Sequence, residues 1–299
     1  MAEQRMTIGF VGIGAMGTPM AANLARAGHR VVAYDLAAER TRALAQSAPV
    51  EVAADLPAVG RAAAIVITML PDGAAVRRAL CGDADSFRGC VGETLAAGGL
   101  VIDMSSSSPI GTRELGAVLA ARGVAFIDAP VSGGVRRARD GSLAIMAGGA
   151  AADVERARPV LACVGRQIFH AGPLGAGHAA KALNNYVSAA GLVAACEAVV
   201  AAQRFGLDPG AVVDILNAST GMNNSTQNKL KQFVLSGSFD AGFALGLMAK
   251  DLRTALEVAR ATHTPTPLAA PVIELWNRAE RELGGGADHT AVFRLIDRE

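Results

Sequence analysis

The hydrophobic pattern changes character along the chain. Up to residue 171 the apolar residues come in short runs separated by glycine and polar turns; beyond it they recur at helical spacing. At the change lies Gly172–Phe205, GPLGAGHAAKALNNYVSAAGLVAACEAVVAAQRF, a glycine-opened start that runs without a breaker into about thirty helix-forming residues. That is far longer than an ordinary helix. It is apolar nearly all round, the pattern of a helix enclosed between two bodies, and it predicts a spine joining two domains. Glu197, Gln203, Asn184 and Asn185 interrupt the run, which argues against a membrane span.

Ahead of the spine, strand-like runs at 6–11, 29–34, 63–70, 99–104, 124–127, 142–147 and near 167–170 alternate with helical stretches. These follow the first strand to Gly28, cover 74–80, open at Pro109 and cover 151–161. The alternation predicts an α/β, Rossmann-like domain over 1–171. Behind an interdomain helix at 172–205, the pattern is helical at 209–217, about 225–235, about 245–262, about 268–283 and 290–298, with no strand run. This predicts an all-α C-terminal domain over 206–299. Its size relative to its helix count suggests that a second subunit shares the spine, as in a homodimer or homotetramer.

The first strand runs directly into Gly12, Gly14 and Gly17, a G-x-G-x-x-G turn, and then into a helix. The first glycine makes the turn, the second admits a pyrophosphate to the backbone, and the third lets helix and strand pack; the helix N-terminus supplies N–H donors. Ala15 and Met16 complete that turn. Asp35 ends the second strand eighteen residues after Gly17, where a carboxylate accepts from an adenosine ribose diol and repels a 2′-phosphate. NAD is favoured over NADP. Arg40 and Arg42 belong to a solvated helix face, or one of them reaches the pocket and weakens that preference.

Three more loops carry candidate chemistry. Leu70 and Pro71 end a strand and border the cofactor crevice. DMSSSSP, Asp103–Pro109, sets four hydroxyls before a helix, which they cap, with or without a further contact, through Ser106, to cofactor or substrate. DAPVSGG, Asp128–Gly134, is either a hairpin or cap, or an anion nest in which Ser132, Gly133 and Gly134 hold a carboxylate. On the spine, Lys181 and Asn185 are four apart and share one helical face. A lysine near a helix start is ordinarily solvated; here the apolar residues that follow would desolvate the amine and lower its pKa into the range of a working acid/base. His178 reads as structural first and as a ligand contact second. In the rear half STGMNNSTQNK, Ser219–Lys229, is a dense hydroxyl and amide loop. LMAKDLRTA sets Lys250 and Asp251 in an apolar helix start, Lys250 being either solvated or the partner of an anion.

Composition narrows the classes. Half of the 299 residues are hydrophobic (51%), enough for two cores, and 28 basic against 27 acidic residues leave a net charge of +1. With no basic run interleaved with aromatics, nucleic acid is not expected as a partner. Cys81, Cys90, Cys163 and Cys196 lie far apart and the five histidines are scattered, so neither a metal site nor a disulfide framework is signalled. The start, MAEQRMTIGF, enters a strand without an export pattern; a cytoplasmic protein with no membrane partner is expected.

With these residues assembled, the chain resembles the β-hydroxyacid dehydrogenases, the group that includes 3-hydroxyisobutyrate dehydrogenase and tartronate semialdehyde reductase. The resemblance runs end to end and is carried by FVGIGAMGTPMAANL, by DAPVSGG followed by GSLAIMAGG, by G-x-G-x-x-x-K-x-x-x-N from Gly175 to Asn185, and by KDL at Lys250. It implies a Rossmann domain, a long interdomain helix, an all-α domain that helps form oligomers, and metal-free NAD(P)-dependent oxidation of a small 3-hydroxy acid or reduction of its semialdehyde. Residue by residue it implies Lys181 as general acid/base, Ser132, Gly133 and Gly134 on the substrate carboxylate, Asn185 orienting the reacting end, and Lys250 closing over cofactor and substrate.

The family's serine-glycine-arginine-aromatic sequence is replaced here by Ser219, Thr220, Gly221, Met222, Asn223 and Asn224. Its usual threonine is Ser106. Amides such as Asn224 on the substrate side suggest a more polar substrate. Imine reduction or decarboxylating oxidation on the same scaffold, and a dinucleotide-binding regulator without turnover, are the alternatives. The regulator would not need Lys181, Asn185 and the Ser132 loop together.

Overall fold

In the computed structural model, which describes residues 5–298, the apolar runs of the front half become the strands of one sheet. In chain order these are β1 (Thr7–Val11), α1 (Gly17–Arg26), β2 (Arg30–Tyr34), α2 (Ala38–Ser47), β3 (Val50–Val52), α3 (Leu56–Ala62), β4 (Ile65–Thr68) and α4 (Gly73–Cys81). After them come β5 (Leu100–Asp103), α5 (Pro109–Ala120), β6 (Ala125–Asp128), β7 (Val131–Ser132), α6 (Gly134–Arg139), β8 (Leu143–Gly148), α7 (Ala151–Ala162) and β9 (Gly165–Gly172). The sheet order is β3-β2-β1-β4-β5-β6-β8-β7, with β9 paired to β8. β1 lies between β2 and β4, parallel to both. This is the point where strand order reverses and an open α/β sheet places its ligand crevice.

The continuous apolar runs have a simple cause: with helices on both faces, each central strand buries both sets of side chains. Ile8, Phe10, Ile65, Ile67, Leu100 and Ile102 enter the core under α1 and α7. Val11, Val66 and Val101 alternate to the opposite face under α3, α4 and α5. Between residues 36 and 62 the one expectation is the solvated helix face at Arg40 and Arg42; the chain forms α2, which carries both, and also β3 and α3. β3 is the edge strand of the sheet, whereas α3 sends Val59 into the core over β1. β3 has three residues, two of them exposed, and Glu51 is held to β2 by a bidentate ion pair with Arg30.

The rear half is helical: the end of α8 (Ala176–Phe205), α9 (Pro209–Ala218), α10 (Asn224–Asn228), α11 (Leu245–Ala261), α12 (Ala269–Leu283) and α13 (Phe293–Arg298). Leu192, Cys196, Val199, Val213, Leu252, Trp276 and Val292 form its core. The chain divides into two compact units, Met1–Lys181 and Ala182–Glu299, the division falling inside α8.

Four expectations are corrected. The spine begins at Ala176, not Gly172, because Gly172 and Gly175 have φ of 138° and 88°, outside the helical range. It is not enclosed all round either: Leu183, Val187 and Phe205 are exposed, Val187 by 69% and Phe205 by 85%. Alanine fits either face, so the run conceals which side is packed. By length and composition α8 passes for a membrane span, but Ala189, Leu192, Cys196 and Val199 are fully buried in the helical core. The single helix expected over 225–235 breaks at Lys229 (φ −131°) into α10 and a π-helical turn, Leu230–Leu235. The last helix is preceded by a 3-10 turn, His289–Val292, capped by Asp288.

Candidate active site

The nucleotide turn follows from what each glycine must avoid. A Cβ on Gly12 (φ 103°) would lie 2.3 Å from the Met69 carbonyl oxygen, and one on Gly17 would lie 1.9 Å from that of Gly12; on Gly14 it would meet nothing within 4 Å. The first and third glycines are therefore demanded by the fold, whereas Gly14 keeps open the space a pyrophosphate needs. α1 starts at Met16 and Gly17 with no side-chain cap and no acidic residue in its first turn, so its leading N–H groups suit an anion. Asp35 accepts from Ile13 N (2.7 Å) and Ala37 N (2.9 Å); one carboxylate thus ties the turn to the end of β2 and keeps lone pairs for a ribose diol. Of the two arginines considered, Arg40 is the one near it, its Nη1 3.6 Å from Asp35 Oδ1. Arg40 also lines a cavity of about 500 Å³ with Gly14, Ala15 and Thr18. Leu36, next to Asp35 in the chain, is an apolar side chain left 91% exposed.

The ends of β4, β5 and β6 are knotted by two buried carboxylates, neighbours in the parallel register. Asp103 accepts from Thr68 Oγ1 (2.9 Å), Ser105 N (3.0 Å) and Ser107 Oγ (2.9 Å). Ser105 Oγ in turn accepts from Leu70 N (2.9 Å). Two of the four serines are thus spent inside the protein and Ser108 caps α5, while Ser106 stands half-exposed between them.

Asp128 has another task. It accepts from Gly175 N and His178 N, both at 2.7 Å, so a residue at a strand end caps the start of α8. Close approach makes this possible: a Cβ on Gly177 would sit 2.1 Å from Met146 O, and one on Gly148 2.5 Å from Asp128 Oδ1. His178 is buried between the two carboxylates, its ring nitrogens 3.7 Å from each and hydrogen-bonded to Thr112 Oγ1 (2.8 Å) and Ser105 O (3.2 Å). The structural reading of His178 is the one its contacts support. Lys181 follows three residues later at 8% exposure.

Ser132 lies on β7 in an antiparallel pair with β8, followed by Gly133 and Gly134 at φ 131° and 65°. Gly133 stands at the N-cap position of α6, which joins β7 to β8, so the stretch is a helix start; two successive glycines at positive φ are also the kind of backbone from which an anion nest is built.

In the helical unit, Asn185 Nδ2 donates to Asp251 Oδ2 (2.6 Å) and its Oδ1 accepts from Asn184 (3.1 Å), fixing which way the amide faces. Lys250 Nζ is 3.8 Å from Asp251 Oδ1. Sequence reasoning noted Asp251 only as Lys250's neighbour; its grip on Asn185, 66 residues away, has no local signature. Asn224 is exposed at the start of α10, and no hydrogen bond among the described residues joins its side chain to Asn185, Lys250 or Asp251. The amide that organises this loop is Asn223, whose side chain accepts from Ser225 N and Thr226 N.

Two family models cover these features: the NAD binding domain of 6-phosphogluconate dehydrogenase over residues 7–172, and the NAD-binding domain of NADP-dependent 3-hydroxyisobutyrate dehydrogenase over 175–296. The chain is 38% identical to 3-hydroxyisobutyrate dehydrogenase of Pseudomonas aeruginosa, covering 96% of this chain and 97% of that protein. The chain belongs to the β-hydroxyacid dehydrogenase family. It is 35% identical to 2-(hydroxymethyl)glutarate dehydrogenase of Eubacterium barkeri over 98% of this chain and 95% of that one. The solved structure of Mycobacterium tuberculosis 3-hydroxyisobutyrate dehydrogenase with L-serine superposes with a TM-score of 0.88 at 34% identity, over 98% and 99% of the two chains. This β-hydroxyacid dehydrogenase is accordingly an oxidoreductase that moves a hydride between a nicotinamide cofactor and a small hydroxy acid.

Proposed function

We propose that this enzyme oxidises 3-hydroxy acids of the 3-hydroxyisobutyrate kind, or reduces their semialdehydes, with Lys181 as the group that moves the proton. The observation that carries the reading is the burial of Lys181 one turn beyond a helix start fastened by Asp128. A bound nicotinamide supplies the hydride acceptor. Lys181 Nζ takes the hydroxyl proton as the carbinol carbon is oxidised and returns it to the carbonyl oxygen in the reverse direction. Ser132 and the N–H groups of Gly133 and Gly134 hold the substrate carboxylate, and Asn185, fixed by Asp251, orients the reacting end. Lys250 and Asn224 contribute from the helical unit, Lys250 toward the cofactor. Gly12, Gly14, Ala15, Met16, Gly17, Asp35, Leu70, Pro71 and Ser106 line the cofactor.

NAD is the cofactor this reading favours, because Asp35 presents a carboxylate where a 2′-phosphate would have to sit and Arg40 is drawn toward that carboxylate. The exposed Leu183, Val187 and Phe205 on α8 support a homodimer or homotetramer through that helix. The test is a panel of 3-hydroxyisobutyrate, 2-(hydroxymethyl)glutarate and L-serine with NAD and NADP, followed by nicotinamide absorbance. Lys181→Ala is expected to remove most turnover while NAD still binds; wild-type rates across pH in that variant would refute the lysine's role.

A further inference from the structure

Lys229 is a cation in an odd place. It stands at the break between α10 and the π-helical turn Leu230–Leu235, and insertions of this kind recur at functional sites. The break lets two consecutive residues turn inward, Leu230 into the core and Lys229 toward α8, where its Nζ donates to Ser188 Oγ (3.3 Å). An ammonium has three donors; among the described residues this hydroxyl is its one hydrogen-bond partner, and no carboxylate lies within ion-pair distance. Burial pushes its pKa down, with Asp288 and Cys196 opposing from farther off. Four residues before it, Ser225 Oγ is buried at 1% exposure with no hydrogen-bond partner among the described residues.

We propose that Lys229, Ser188 and Ser225 hold a second anionic group of the substrate, so that this dehydrogenase takes hydroxy acids carrying two anions. The proposal rests on the reading of Lys181 as the proton-transferring residue. Ser188 follows Lys181 by seven residues and Asn185 by three, so the three share one face of α8, with Ser188 about 10 Å farther along the axis. Lys229 and the two hydroxyls all offer donors, and a carboxylate or sulfonate accepts on every side, whereas a neutral or cationic tail leaves the amine uncompensated. This extends the polar character expected from Ser219–Asn224 to a defined charge.

The test separates binding from turnover. Glutarate and isobutyrate, each titrated calorimetrically into the full-length protein with NAD, differ in the second carboxylate. Wild type is expected to bind glutarate at least tenfold more tightly, Lys229→Met to erase that preference, and Lys229→Arg to restore part of it. Equal affinity for both acids in wild type, or a preference that survives Lys229→Met, overturns the anchor. Should Lys229→Met fail to fold, Ser188→Ala is read in its place, with a severalfold loss of glutarate preference expected and an unchanged preference counting against the anchor. In turnover, a kcat/KM higher for 2-(hydroxymethyl)glutarate than for 3-hydroxyisobutyrate supports the anchor and the reverse order refutes it. Absence of turnover with any hydroxy acid refutes the dehydrogenase reading instead, and the glutarate titration still decides the anchor.

Discussion

Replacing Asp128 tests whether the start of α8 is held from the sheet. Asp128 is fully buried, and its two oxygens serve Gly175 N and His178 N at 2.7 Å, charge-assisted bonds shielded from bulk solvent. Asp128→Ala leaves both N–H groups unsatisfied, and at about 1–3 kcal/mol for each buried orphan the loss is about 2–6 kcal/mol. Relief of repulsion from Asp103, the neighbouring carboxylate, offsets part of it. Asp128→Asn keeps one acceptor and turns an amide N–H toward the other donor, so about 2–3 kcal/mol is expected. Urea unfolding followed by far-UV circular dichroism reads this directly: with an m-value of about 2 kcal/mol/M, Asp128→Asn lowers the midpoint by roughly 1 M. Emission from Trp276, the single tryptophan, reports the helical unit separately, and a loss confined to the dichroism locates the damage in Met1–Lys181. An Asp128→Asn protein within about 0.5 kcal/mol of wild type would refute the clamp.

The two kinds of glycine should separate cleanly: Gly177→Ala forces a Cβ onto Met146 O and is expected to lower the melting temperature by several degrees or abolish folding. Gly14→Ala, which meets nothing, should melt with wild type yet weaken NADH binding about tenfold or more in a fluorescence titration. Burial alone would raise the Asp288 pKa, but hydrogen bonds from His289 and Thr290 hold it well below the usual carboxylate range. Its folded value lies below its unfolded one, so the unfolded chain binds more protons, and the stabilisation present above about pH 4 is lost as pH falls through the lowered value. Trp276-monitored unfolding should show that acid loss in wild type and a flatter profile in Asp288→Asn. Burial pushes the Cys81 and Cys196 thiols up to about 12 and Cys90 upward as well, leaving Cys163 as the partly exposed thiol. Ellman's reagent should titrate one thiol quickly in the native protein and all four after unfolding.

What the sequence made legible, and what it hid, divides along range in the chain. The glycine turn, Asp35 and the strands β1, β4 and β5 were readable because each is dictated within a few residues: Gly12 and Gly17 by collisions inside one turn, the strands by burial on both faces. Lys181 and Asn185 were readable as a pair because one helix carries both. The devices that hold those two were not, since Asp128 reaches 47 and 50 residues ahead to grip α8 and Asp251 reaches 66 residues back to Asn185. Lys229 shows a third case: in a polar stretch a lysine reads as solvated, and only the backbone break after α10, invisible in local composition, turns it inward to Ser188. The motifs therefore display Asp128 and Asp251 as residues, while what each carboxylate holds is decided by contacts with α8 that lie far along the chain. Asp128 and Asp251 lie within the DAPVSGG and KDL motifs, and substitution at either is expected to displace the start of α8 or the Asn185 amide without removing Lys181 or Asn185 themselves.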